Sequence, residues 1–228
     1  MSALQKLNTR IKEKGLRATF NTLWKRYVFF HSELLWLGRD LVSPVSHTLK
    51  PYPPVRLELI TVQNADAFAR YYGPRVEVMR ELAAEGYTGH MYLDDQGDAV
   101  GFIWGSKRDY HDRHFYGCWF PVKDGEFFQF GGEVIPAYWG TSLTADAQFA
   151  IWNAMHVQGC TKVVDVCDIQ NIQAIKMHMR MDYLEQGRIT HVYGVFGRWR
   201  FYRETRYSGS RLDALRKSGR PDVAAPAT

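Results

Sequence analysis

Long apolar runs are missing from this chain of 228 residues: no stretch approaches the roughly 20 residues that a membrane-spanning helix needs. The opening twenty residues, MSALQKLNTRIKEKGLRATF, also lack the unbroken apolar centre of a secretory signal. Cysteine is scarce, and Cys118, Cys160 and Cys167 show neither C-x-x-C nor metal-type spacing, which argues against a disulfide scaffold and suits a reducing compartment. A generally basic surface is missing too. Residues 1–50 carry nine Lys/Arg against three Asp/Glu, a net +6, so the rest of a chain of formal charge +5 nets −1. Basicity confined to one segment, without a reader module, argues against nucleic-acid binding. The expectation is a cytoplasmic protein, with a peripheral position at the inner membrane face left open by the basic segment.

What is present is enough apolar material for one core: 46% hydrophobic and 14% aromatic residues. Three regions follow from texture. Residues 1–50 read as a basic amphipathic helical extension, because Leu4, Leu7, Ile11, Leu16, Phe20, Leu23 and Trp24 recur at three- and four-residue steps and LWKRYVFFHSELLWLGRDL continues the run to residue 41. Pro44, Pro51, Pro53 and Pro54 then mark a linker. Residues 51–206 alternate strands and helices, and residues 207–228 read as a flexible tail rich in Ser, Ala and Pro.

Within 51–206, RLELIT is a strand, NADAFARYYGPRVEVMRELAAEGY holds helices divided at Gly73-Pro74, and TGHMYLDDQGDAVGFIWGSK is a hairpin. EFFQFGGEVI is a further strand. It runs through Pro136 and Gly140 into a helix from about Ser142 to Gln158. KVVDVC is a short buried strand, NIQAIKMHMRMDY a helix, and EQGRITHVYGVFGRWRFYRET a final strand pair. The sum is a mixed α/β sheet with one strand-helix-strand crossover.

The stretch VIPAYWGTSLT, followed after one strand by NIQAIKMHMRMDY, resembles the GCN5-related N-acetyltransferase (GNAT) superfamily over roughly residues 56–205. Val134 and Pro136 match its V-x-P, Gly140 a loop glycine, and Asn171 and Ala174 its N-x-x-A. Trp139 stands where the family carries arginine, Ser142 and Thr144 where it carries glycines, and His178 where it carries tyrosine. The resemblance implies a centrally splayed sheet flanked by helices, with the N-terminal helical segment as an addition. It also implies acetyl-CoA or another acyl-CoA as co-substrate and no metal. The coenzyme would be held by Trp139, Gly140, Thr141, Ser142, Leu143, Thr144 and Ala145 at a helix N-terminus, whose unpaired N–H groups suit a pyrophosphate. Backbone groups of Glu133, Val134 and Ile135 would take the pantetheine arm, with Asn171 nearby.

For catalysis the resemblance suggests an oxyanion donor at Val134, Glu133 as base and His178 as acid toward the leaving thiolate. Tyr110, His111 and His114, in a polar loop, are substrate-contact candidates; H-x-x-H alone is a weak metal signal. The aromatic cluster of Phe115, Tyr116, Trp119, Phe120, Phe127, Phe128 and Phe130 is core, with an open part able to stack on a sugar or hold an acyl chain. The function expected is acetyl transfer to a small-molecule amine, with an amino sugar or nucleotide-linked sugar preferred. Two alternatives stand beside it: a longer-chain acyltransferase served by acyl carrier protein or acyl-CoA, and a non-catalytic scaffold of the same fold. A homodimer, and membrane or acyl-carrier-protein contact through residues 4–41, remain open as partners.

Overall fold

The computed structural model describes Trp24, residues 28–42 and residues 50–213. Its strands are β1 (Phe29–Asp40), β2 (Arg56–Leu59), β3 (Thr88–Leu93), β4 (Ala99–Ser106), β5 (Tyr110–Asp112), β6 (Cys118–Phe120), β7 (Glu126–Val134), β8 (Lys162–Asp168), β9 (Leu184–Val195) and β10 (Trp199–Arg206). The longer helices are α1 (Val76–Ala84), α2 (Leu143–Val157) and α3 (Ile172–Arg180), with short helical turns from 65 to 75 broken at Gly73-Pro74 as expected. Eight strands make one sheet in the order β10-β9-β1-β8-β7-β4-β3-β2, and β5 and β6 form a separate hairpin. The β7-α2-β8 crossover supplies a parallel pair; the other pairings are antiparallel.

The helical reading of residues 29–40 is corrected. This stretch is a strand in the interior of the sheet, paired with β8 on one side and β9 on the other. Its sequence misleads because both faces are covered. Leu34 and Trp36 enter the core beneath α1, while Leu35 and Leu37 enter the core beneath α2 and α3. A strand buried on both faces has no polar alternation, and its apolar run cannot be told from a buried helix by periodicity. The residues before Trp24, with the basic helix expected there, lie outside the described part.

The tail reading is corrected for its first residues. The Tyr207 hydroxyl and the Arg211 N–H both donate to Glu185 Oε2, at 2.7 and 2.9 Å, and Leu212 is fully buried. Burial would raise the Glu185 carboxyl, yet hydrogen bonds from Ser210, Tyr207 and the amides of Arg211 and Leu212 outweigh it and hold it below the usual range. Residues 214–228 lie outside the described part.

If β1 is integral to the sheet, Leu35→Ala should destabilise the whole domain by about 2–5 kcal/mol through the lost transfer term and the cavity left behind. Urea unfolding checks this, and a loss below about 1 kcal/mol would be inconsistent with a fully buried leucine.

Candidate active site

The backbone ladder between β7 and β8 is short. It joins Glu126 to Lys162, Phe127 to Val163 and Phe128 to Val164, and then stops. Beyond that point the strands part as the resemblance implies, and side chains replace the missing backbone bonds. Gln129 Nε2 donates to Asp165 Oδ2 at 3.0 Å across the gap. Gln129 Oε1 accepts from Trp152 Nε1 at 3.0 Å and from the Tyr183 hydroxyl at 3.3 Å, tying the gap to α2 and to the start of β9.

The outer part of β7 is shaped by a bulge. Phe102 faces Glu133 and Trp104 faces Phe130, so Gly131 and Gly132 share one position opposite Ile103. Gly131 adopts φ +62°, which a side chain would strain. Past the bulge, Ile135 donates its N–H to Val100 O at 2.9 Å. Peptide groups alternate along a strand, so Val134 turns its N–H and C=O to the opposite edge, toward the gap. Of the Glu133–Ile135 backbone expected to meet the coenzyme, only Val134 therefore faces it. Its carbonyl already accepts the Trp139 indole N–H at 3.1 Å.

The loop before α2 is open at its apex. Gly140 adopts φ +76°, and a Cβ there would meet nothing within 4 Å. Trp139 and Gly140 are exposed, and Thr141 and Thr144 are partly so. Ala145 buries its side chain, which leaves its amide as what it can offer a ligand. Ser142 is buried and does not cap the helix, because its hydroxyl accepts the Lys50 N–H; Thr141 Oγ1 accepts from the Leu143 N–H at 3.3 Å instead. The Tyr52 hydroxyl donates to Asp146, and burial together with that carboxylate pushes the phenol up to about 12.

His178 differs from its expected role. Both ring nitrogens are engaged, Nδ1 with Ala174 O at 2.8 Å and Nε2 with Asp165 Oδ2 at 2.9 Å, and the ring is buried. Burial disfavours its charge, but the Asp165 carboxylate and Cys167 outweigh burial and hold the imidazole above its ordinary value. With both nitrogens committed to protein partners, the ring closes the floor of the gap and is not a free acid facing a sulfur atom. Asn171 accepts the Ala174 N–H at 3.2 Å as the N-cap of α3 and also lines the gap.

A cavity of about 710 Å³ runs through the parting of β7 and β8 from the α2–α3 side to the β5–β6 side. Glu133, paired with Arg75, lines it, as do Tyr110 and His114, the latter 3.3 Å from Glu81 Oε2. His111 is not on its wall and stacks on Trp119 with ring centroids 4.6 Å apart. Burial raises the phenols of Tyr110 and Tyr116, so the aromatic wall is uncharged. Phe120, Phe127 and Phe128 are core, whereas Phe115 is 69% exposed at the rim. Two buried polar atoms on this cavity, Gln148 Oε1 and Trp104 Nε1, have no hydrogen-bond partner among the described residues.

Gln129, Asp165 and Arg75 were missed by sequence reasoning. A polar residue in the run EFFQF and a carboxylate in KVVDVC, each at an otherwise apolar strand position, were the available signals.

No protein-family model matches the chain, and no curated protein matches it by sequence. Two solved structures share its architecture. One is a Drosophila protein determined as a structural genomics target, with TM-score 0.52 and 8% identity over 80% of this chain and 57% of that one. The other is a tandem GNAT protein from the clavulanic acid biosynthesis pathway, solved without acetyl-CoA, with TM-score 0.51 and 12% identity over 81% of this chain and 59% of that one. The chain thus spans less than two thirds of either. A splayed mixed sheet whose parting strands are joined by a Pro-Gly loop and a helix defines the class. This chain has the GNAT fold, as expected from VIPAYWGTSLT.

The raised His178 value sets a pH dependence. A folded value above the unfolded one, about 6.5, contributes stability in full below that pH and loses it as pH rises through the folded value. Unfolding free energy measured from pH 6 to pH 10 should therefore fall through this group, and Asp165→Asn should remove that component of the slope.

Proposed function

We propose that the chain is an acyl-CoA-dependent N-acyltransferase that moves acetyl to an amine of a small molecule. The observation that carries this reading is the cavity passing through the sheet at the parting of β7 and β8, with Thr144 of the first turn of α2 on its wall at one end and an aromatic wall at the other. Acyl-CoA, when bound, supplies a thioester open to attack by a neutral amine. The residues fit such a ligand: α2 starts with Thr144 on the cavity wall, and the Gly140 apex of the loop before it is open.

On this reading the Val134 N–H, turned to the gap, donates to the acyl oxygen. Glu133 takes the amine proton directly or through water as the new C–N bond replaces the C–S bond, with Arg75 holding the carboxylate in place and solvent protonating the released thiolate. Tyr110, Tyr116 and Phe130 form an uncharged aromatic surface that attracts an ammonium and stacks on a ring, which favours an amino sugar among amine acceptors.

Calorimetric titration with acetyl-CoA, palmitoyl-CoA and free coenzyme A tests the reading. Acetyl-CoA should bind at micromolar concentration; Gly140→Asp should abolish binding while Gly140→Asn retains it. Both residues tolerate positive φ, so the pair isolates the carboxylate charge. With a responsive acceptor, Glu133→Gln should lower kcat by about 10²-fold with acetyl-CoA affinity unchanged. Preference for palmitoyl-CoA would move the reading to a longer acyl chain, and no binding of any of the three would overturn it.

A further inference from the structure

Away from this cavity, on the sheet face that carries α3, three side chains from two strands converge. His31 and Glu33 of β1 lie two residues apart and so share a face, and Glu33 is the cross-strand partner of His191 on β9. His31 Nε2 lies 3.3 Å from His191 Nδ1, and Glu33 Oε1 lies 3.4 Å from the same nitrogen. These spacings are long for strong hydrogen bonds. They match the separation of donors around a tetrahedral zinc ion, about 3.3 to 3.4 Å for bonds of about 2.0–2.1 Å.

The surroundings hold the set in place. His191 Nε2 is 2.8 Å from Thr205 Oγ1 on β10. With the proton on Nε2 donated to that hydroxyl, Nδ1 presents a bare lone pair toward His31 and Glu33, the arrangement by which a second partner orients a ligating imidazole. The His31 ring is stacked on Tyr193, centroids 4.6 Å apart and planes within 10°. Arg203, paired across the strands with His191, and Arg211 also act on this imidazole and oppose a cation. The Glu33 carboxylate supplies the compensating charge. Two imidazoles with a single carboxylate select a borderline-soft metal over a hard cation that needs several oxygens.

We propose that His31, Glu33 and His191 form a zinc site with three protein ligands and a fourth position open to water, clipping β1 to β9. The clip has a direct connection to the rest of the molecule. Glu33 O accepts the Ile169 N–H at 2.9 Å, two residues before the Asn171 cap of α3, so the metal would fix the segment that leads from β8 into that helix. Nothing in the linear sequence suggests it, because His31 and His191 are 160 residues apart.

The test uses the full chain without a histidine tag, stripped with a chelator and titrated with Co²⁺. Cobalt should bind one per chain with the intense visible absorption of a tetrahedral site, and one equivalent of Zn²⁺ should displace it. His31→Ala and Glu33→Gln should each lose that absorption and weaken binding about tenfold or more. His31 is exposed, so its replacement leaves the core intact, and circular dichroism of both variants verifies that they fold. Absence of stoichiometric binding to the parent chain at micromolar cobalt, or binding that survives in both variants, would overturn the proposal.

Discussion

The end of the β7–β8 ladder at Phe128 and Val164 is the constraint on which the rest of the site depends. Parting two central strands leaves backbone donors and acceptors inside the protein, where each must find a partner. Across the opening the strands are bridged by side chains: Trp152 and Tyr183 donate to Gln129, Gln129 donates to Asp165, and His178 meets both Asp165 and the Ala174 carbonyl of α3. A buried carboxylate is tolerated here because it meets a buried imidazole and an amide donor together. Removing either partner would leave an uncompensated charge, so the bridge holds the parting at a fixed width.

The features legible in the sequence were those written in consecutive residues. Pro136 and Gly140 between a strand and a helix, the TGHMYLDDQGDAVGFIWGSK hairpin and the NIQAIKMHMRMDY helix are set by neighbouring residues, and all appear where expected. Features that depend on what covers a segment were not legible. FFHSELLWLGRD looks helical because its Leu34–Leu37 run is apolar on both faces, and only the two cores around it make it a strand. The Gln129–Asp165 contact and the His31–Glu33–His191 set join residues whose proximity is created by the sheet.

Position 139 shows how a departure from a family pattern can be reinterpreted physically. An arginine there would offer a cation to a phosphate. Trp139 instead donates its indole N–H to Val134 O, on the strand edge that faces the gap. On the proposed reading the loop would rely on backbone amides and an open glycine rather than a side-chain charge, while Asp146 in the first turn of α2, bonded to Tyr52, adds a nearby negative group. Anion binding at such a start rests on the helix dipole and the free N–H groups. On the proposed reading it is a weaker design than a charged clamp.

The insertion of β1 determines which strand moves to make the gap. β8 is paired with β1 along its whole length, from Lys162 against Asp40 to Asp168 against Leu34, so its far side cannot shift. The divergence must then be accommodated by β7. The Gly131–Gly132 bulge does this, adding a residue opposite Ile103 and turning the strand away after Phe130. The same bulge carries Glu133 toward Arg75 at the mouth of the cavity and leaves Val134 with its peptide groups on the open edge. An N-terminal strand far from β7 and β8 in sequence therefore makes β8 the fixed wall of the cavity and β7 the shaped one.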